Sequence, residues 1–125
     1  MSDREPADQL YHHLLSLHEA AFEGGSFELG YHLLAAALHA AEELDSLELL
    51  TEIGKLAGER QKKVDELKPE HRLSSNSARK RGNPAQYAAL VAIAAAVKGR
   101  ITADRALHRS QNTRGTAWGN SKTKS

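Results

Sequence analysis

Residues 27–44, FELGYHLLAAALHAAEEL, decide the fold. Stepped at about 100° per residue, the stretch separates into two faces. Phe27, Gly30, Leu33, Leu34, Ala37, Leu38, Ala41 and Leu44 share one broad apolar arc. Glu28, His32, His39, Glu42 and Glu43 fall opposite. An arc this wide predicts an amphipathic helix gripped by neighbours on both flanks. Its alanines favour helix intrinsically and keep the profile thin, so that other backbones can come close. Gly24-Gly25 breaks the chain before it, with Ser26 placed to cap it, and Asp45-Ser46 breaks the chain after it.

On the N-terminal side, Pro6 suits a first helical turn, and a helix is expected over 7–23. Leu10, Leu14, Leu17 and Ala21 form its apolar stripe. His18 projects beside Tyr11 and Leu14, where a lone histidine reads as a hydrogen-bonded packing residue rather than a ligand. On the C-terminal side, Leu49, Leu50, Ile53, Leu56, Ala57, Val64 and Leu67 make 46–67 amphipathic. Gly54 and Gly58 lie near its apolar side, and close packing against the alanine-rich central helix would offset their cost of ~1 kcal/mol each.

Pro69 ends that helix, and 68–83 reads as a polar linker. Pro84 opens a helix over 84–98, AQYAALVAIAAAV at its heart, apolar all round and therefore buried or an interface. Gly99 is placed to stop it, and Thr102 to start a short helix over 102–107. From His108 the chain is polar and basic, a composition that predicts a disordered tail over 108–125, with Trp118 inside it. The expected architecture is all-α: an antiparallel array or bundle of four to five helices in one domain, 1–107, with a disordered basic tail.

There is no cysteine, which excludes disulfides and thiolate metal sites. No apolar run reaches the ~18–20 residues that span a bilayer, and the acidic start lacks an apolar signal region, so a cytoplasmic protein without a membrane partner is expected. The formal net charge of +1 hides a division. Residues 1–67 hold 5 Lys/Arg against 14 Asp/Glu, a balance of −9; residues 68–125 hold 12 against 2, a balance of +10. Such asymmetry either recruits an acidic partner to the basic half or neutralises itself within the fold or a dimer.

The first two helices and their turn resemble one tetratricopeptide-like unit, an antiparallel helix pair repeating about every 34 residues. Leu14 and Leu17 stand where that family carries large apolar residues, Gly25 at its turn and Phe27 at the aromatic that follows. Gly30, Leu34 and Ala37 take its small, large and small positions on the second helix. There is no opening tryptophan; His18 replaces a small residue, Ala21 a tyrosine, and Glu42 a closing proline. The resemblance covers residues 10–44, and no second complete unit follows. It implies a scaffold for binding peptides or proteins.

Catalytic and cofactor signatures are missing: no nucleophile elbow, phosphate loop or dinucleotide fingerprint occurs, and neither an enzyme nor a cofactor is expected. The histidines offer no i, i+4 ligand pair, so no metal site is expected. Segment 93–107 bears only a faint likeness to a helix-turn-helix, since Arg100 and Arg105 stand where that motif is apolar. Arg79, Lys80, Arg81, Arg100 and Arg105 are candidates for contacting phosphate or an acidic partner. Tyr87, Leu90, Val91, Ile93 and Val97 are candidates for an interface, with a homodimer expected through 85–97. The leading expectation is a small helical protein–protein interaction or adaptor module. The alternative is a nucleic-acid-binding accessory protein that uses the basic C-terminal half.

Overall fold

The two predicted breaks close in the same way. At the first, Ser26 N–H donates to the Ala21 carbonyl at 2.8 Å and Gly25 N–H to Phe22 at 3.0 Å. Gly25 takes a left-handed φ of 87°, the geometry of a Schellman closure. At the second, Ser46 N–H reaches Ala41 and Asp45 N–H reaches Glu42, with Asp45 left-handed at φ 51°. Between the breaks lies the central helix. In this computed structural model, residues 4–123 are described, with side chains from Pro6 to Gln111. The helices are α1 (Arg4–Glu23), α2 (Phe27–Glu43), α3 (Leu47–Leu67), α4 (Ser75–Arg81) and α5 (Gln86–Thr123), and no strand occurs among the described residues.

Side-chain contacts fix the register. His18 meets Gly30 and Phe22 stacks near Phe27, so α1 and α2 are antiparallel. Gly54 faces Ala94, Gly58 faces Val91 and Gln61 meets Ala88, so α3 and α5 are antiparallel too. Tyr11 meets Glu52 and His18 meets Arg60, which sets α1 parallel to α3. Tyr87 meets Phe27 and Arg100 meets Glu42, which sets α2 parallel to α5. The molecule is therefore two antiparallel hairpins, α1/α2 and α3/α5, stacked with α2 against α3. Leu34, Ala37, Ala41, Leu50, Ile53, Ala57, Val64, Tyr87 and Ala94 form the core between them.

Several sequence expectations are corrected. On α1 the core face is Tyr11, His18 and Phe22, spaced by seven and four, while Leu10 is 56% and Leu17 50% exposed. The two stripes lie one residue apart; the larger aromatic surface of Tyr11 and Phe22 and the hydrogen bonds of Tyr11 and His18 go inward. Gly54 and Gly58 admit α5 rather than α2: a Cβ at these positions would stand 3.6 Å from Ala94 and 3.8 Å from Val91. Ser26 makes no side-chain cap, whereas the Ser46 hydroxyl accepts from Leu49 N–H at 3.1 Å.

The linker 68–83 contains α4. Ser74 caps it by accepting from Ser77 N–H at 3.1 Å, and left-handed Gly82 closes it. The helix after Pro84 does not stop at Gly99, and no separate helix begins at Thr102; α5 is one element. A glycine in an exposed helical position costs only ~1 kcal/mol, and Gly99 is exposed while Ile101, two residues on, is buried. Nor is this helix covered all round: Tyr87, Leu90 and Ala94 are buried, whereas Ala88, Ala92, Ala95 and Ala96 are exposed. The expected disorder of 108–125 falls, for side chains from Asn112 and for residues 124–125 altogether, outside the described part.

Candidate protein-binding groove

The parallel helices α1 and α3 do not touch backbone to backbone; α2 packs beneath both. Side chains bridge the gap. The Tyr11 hydroxyl donates to Glu52 Oε1 at 2.6 Å, and Arg60 Nε donates to His18 Nε2 at 3.0 Å. At about 100° per residue, the flank of α1 turned toward α3 carries Asp8, Leu15 and Glu19. The facing flank of α3 carries Leu49, Glu52, Leu56, Glu59 and Lys63. Leu15, Leu49 and Leu56 are partly buried and pack on the core, while the four carboxylates are exposed. The result is a groove with an apolar floor and a rim of four carboxylates with Lys63 among them, while Arg60 is turned inward onto His18 and Phe22.

A polar knot lies directly under this groove. His18 is fully buried and its Nδ1 stands 2.7 Å from the Gly30 carbonyl. A carbonyl only accepts, so Nδ1 carries the proton and Nε2 is the acceptor for Arg60. Burial pushes the His18 imidazole below its ordinary pKa; the Gly30 carbonyl opposes this, the Arg60 charge adds to it, and Glu19 opposes it. The Arg60 guanidinium in turn lies 4.6 Å over the Phe22 ring. Tyr87 reaches the same knot from α5, donating to the Phe27 carbonyl at 2.7 Å. Its ring meets Phe22 and Tyr31 edge-on at 5.7 and 5.8 Å. Burial raises the pKa of both Tyr87 and Tyr11, and Glu52 raises that of Tyr11 further.

A second hub ties the α4 segment down. Gln61 Nε2 donates to the Leu73 carbonyl at 3.0 Å and to Asp65 Oδ1 at 3.1 Å, while its Oε1 accepts from Ala88 N–H at 3.2 Å. Asp65 also accepts from the backbone N–H and the hydroxyl of Ser75, both at 2.7 Å. Burial alone would raise the Asp65 pKa, but the two Ser75 bonds, Gln61 and the Arg79 charge together lower it.

The cations expected to meet phosphate are scattered and largely engaged. Arg79, Lys80 and Arg81 end α4, where cations suit the helix dipole. Arg81 donates to Ser77 Oγ and to the Arg72 carbonyl. Arg100, on α5, pairs with Glu42 at 2.6 Å, and Arg105 donates to the Asp45 carbonyl. Arg72 pairs with Glu28. The contacts of Arg72, Arg100 and Arg105 join the basic half to the acidic half within one chain. The interface candidates also divide. Tyr87 and Leu90 belong to the chain's own core and Val97 is partly buried, because α5 packs along α3; Val91, 37% exposed, borders that contact at Gly58, and only Ile93 of the five, 45% exposed, faces outward.

The groove is not legible in the sequence, since its partners lie about forty residues apart. One signal was present: Tyr11, His18 and Phe22 repeat at helical spacing, and a buried histidine needs a donor or acceptor from elsewhere. Among the described residues, no group of three or more His, Cys, Asp or Glu is placed to hold a metal ion, and no helix is long and apolar enough to cross a membrane. No known protein family, curated protein or solved structure matches this chain.

Proposed function

We propose that this chain is a small helical protein–protein interaction module that receives its partner in the α1/α3 groove. The observation that carries the reading is the groove itself: exposed carboxylates of Asp8, Glu19, Glu52 and Glu59 around partly buried leucines. Paired hairpins in the manner of a short tetratricopeptide-like array support it, because such a stack leaves the face shared by α1 and α3 open. The engagement of Arg72, Arg100 and Arg105 by acidic or carbonyl groups of the same chain weighs against the nucleic-acid reading. Affinity capture from the native host, comparing the natural chain with a Glu19→Lys/Glu59→Lys variant, tests the proposal. Partners held by the natural chain and lost from the variant support it. An unchanged set of partners, or tight oligonucleotide binding at physiological salt, overturns it.

A further inference from the structure

The groove is net negative, with four carboxylates against Lys63 and the inward-turned Arg60, and the chain carries a segment of opposite charge. After Asp104 there is no further Asp or Glu, while Arg105, Arg109, Arg114, Lys122 and Lys124 follow. The same segment offers large apolar groups, Leu107 and, eleven residues on, Trp118. Leu107 is 59% exposed, and every residue from Thr102 to Gln111 is exposed.

Length agrees as well. Arg105 sits level with the α2–α3 turn, where it donates to the Asp45 carbonyl. Beyond it α5 continues for 18 residues, to Thr123. That is roughly 27 Å of helix at about 1.5 Å per residue, against roughly 31 Å for the whole of α3. Direction excludes the chain's own groove: α5 is antiparallel to α3 and unbroken, so the segment leaves the body instead of folding back.

We infer that the part of α5 beyond Arg105 in one copy lies in the acidic α1/α3 groove of a second copy. This inference rests on the groove reading above and names the occupant. The recognition is helix-in-groove: apolar anchors on the leucine floor, cations against the rim. Each copy offers one groove and one segment, so reciprocal exchange closes a twofold dimer. The charge division of the sequence then acts between copies as well as within each.

The test is a charge swap on the full-length chain, read by sedimentation equilibrium at micromolar concentration. The natural chain is expected to be a dimer that weakens as salt is raised. Glu19→Lys/Glu59→Lys reverses the groove, and Arg109→Glu/Arg114→Glu reverses the segment. Each variant alone is expected to be a folded monomer, checked by circular dichroism. Mixed one to one, they regain a dimer, since each reversed surface meets its complement. That recovery cannot come from misfolded protein. A natural chain that stays monomeric at 13.6 kDa overturns the inference, as does a dimer that neither reversal weakens, or a mixture that stays monomeric. If the chain is monomeric but the groove variant still loses captured partners, the interaction reading stands and only the occupant is wrong.

Discussion

A Cβ added to Gly30 would stand 2.9 Å from the Tyr87 hydroxyl and 3.4 Å from His18 Nδ1. Glycine here is a matter of space, since its backbone is ordinary helix. Gly30→Ala should therefore destabilise the chain by about 1–3 kcal/mol, the usual cost of overpacking. Tyr87→Phe removes the crowding oxygen together with one of the two hydrogen bonds to the buried Phe27 carbonyl, costing about 0.5–1.5 kcal/mol. The two losses should combine to less than their sum. Urea melts on both singles and the double form the cycle; strict additivity would show that the two side chains do not compete for the same space.

The central helix gives a plainer contrast. Leu34 is fully buried, and the His39 side chain is 77% exposed. Leu34→Ala should cost about 2–5 kcal/mol, and His39→Ala less than about 0.5 kcal/mol. Equal losses would mean that the two faces of α2 are assigned the wrong way round.

Acid should loosen the knot under the groove. In the unfolded chain His18 takes a proton near its ordinary pKa of about 6.5, whereas in the fold burial and Arg60 hold that pKa lower. The unfolded state therefore binds more protons below pH 6.5, and stability falls as pH drops through that window by at most about 1.4 kcal/mol per pH unit. The groups facing His18 are Glu19 on its own helix, the Gly30 carbonyl, Arg60 and the Tyr87 ring. Melting temperatures between pH 7.5 and 5.5 should fall for the natural chain and flatten in His18→Gln. An unchanged slope in that variant would assign the pH dependence elsewhere.

Asp65→Ala should free the α4 segment, because it removes the acceptor for two Ser75 bonds and one from Gln61. A loss of about 1–3 kcal/mol is expected, with Ser75 N–H left unpaired. Amide hydrogen exchange should quicken over Ser75–Arg81 more than over α2. Uniform quickening would mean that α4 and the core unfold as one unit.

Nucleic acid offers a direct discrimination. Replacing Arg79, Lys80 and Arg81 by Ala should leave oligonucleotide anisotropy unchanged at physiological salt, because Arg81 is held by Ser77 and Arg72 and the Arg79 charge acts on Asp65. A salt dependence made shallower by about one unit per phosphate no longer neutralised would restore the phosphate role.

Local signals carried the fold. Gly24-Gly25 and Asp45-Ser46 mark both reversals, since a left-handed residue must stand where a helix ends and turns back. Three helices and the start of the fourth long one follow from apolar spacing. α4 escaped because seven residues of SNSARKR hold no apolar period, although Ser74 before and Gly82 after it are the ordinary start and stop residues. The second hairpin escaped because its helices are separated by that segment, and the pairing of α3 with α5 is set by Gly54, Gly58 and Gln61 rather than by a short turn. The choice between the Leu10/Leu17 and Tyr11/His18/Phe22 stripes needed partners that only the packed molecule supplies: Glu52, Arg60 and the Gly30 carbonyl.

The passage of α5 through Gly99 without a break makes one helix answer to two masters. Its first turns are clamped by Gln61 at Ala88 and by the Tyr87–Phe27 bond, while residues 102–111 are exposed. No proline interrupts the ladder of i to i−4 bonds along α5. A pull or twist applied to the outer turns is therefore felt at Tyr87, beneath the floor of the groove. In mechanical terms, α5 is a lever with its pivot where Arg105 meets the Asp45 carbonyl and its inner arm ending at Tyr87, whose hydroxyl leaves no room for a Cβ on Gly30.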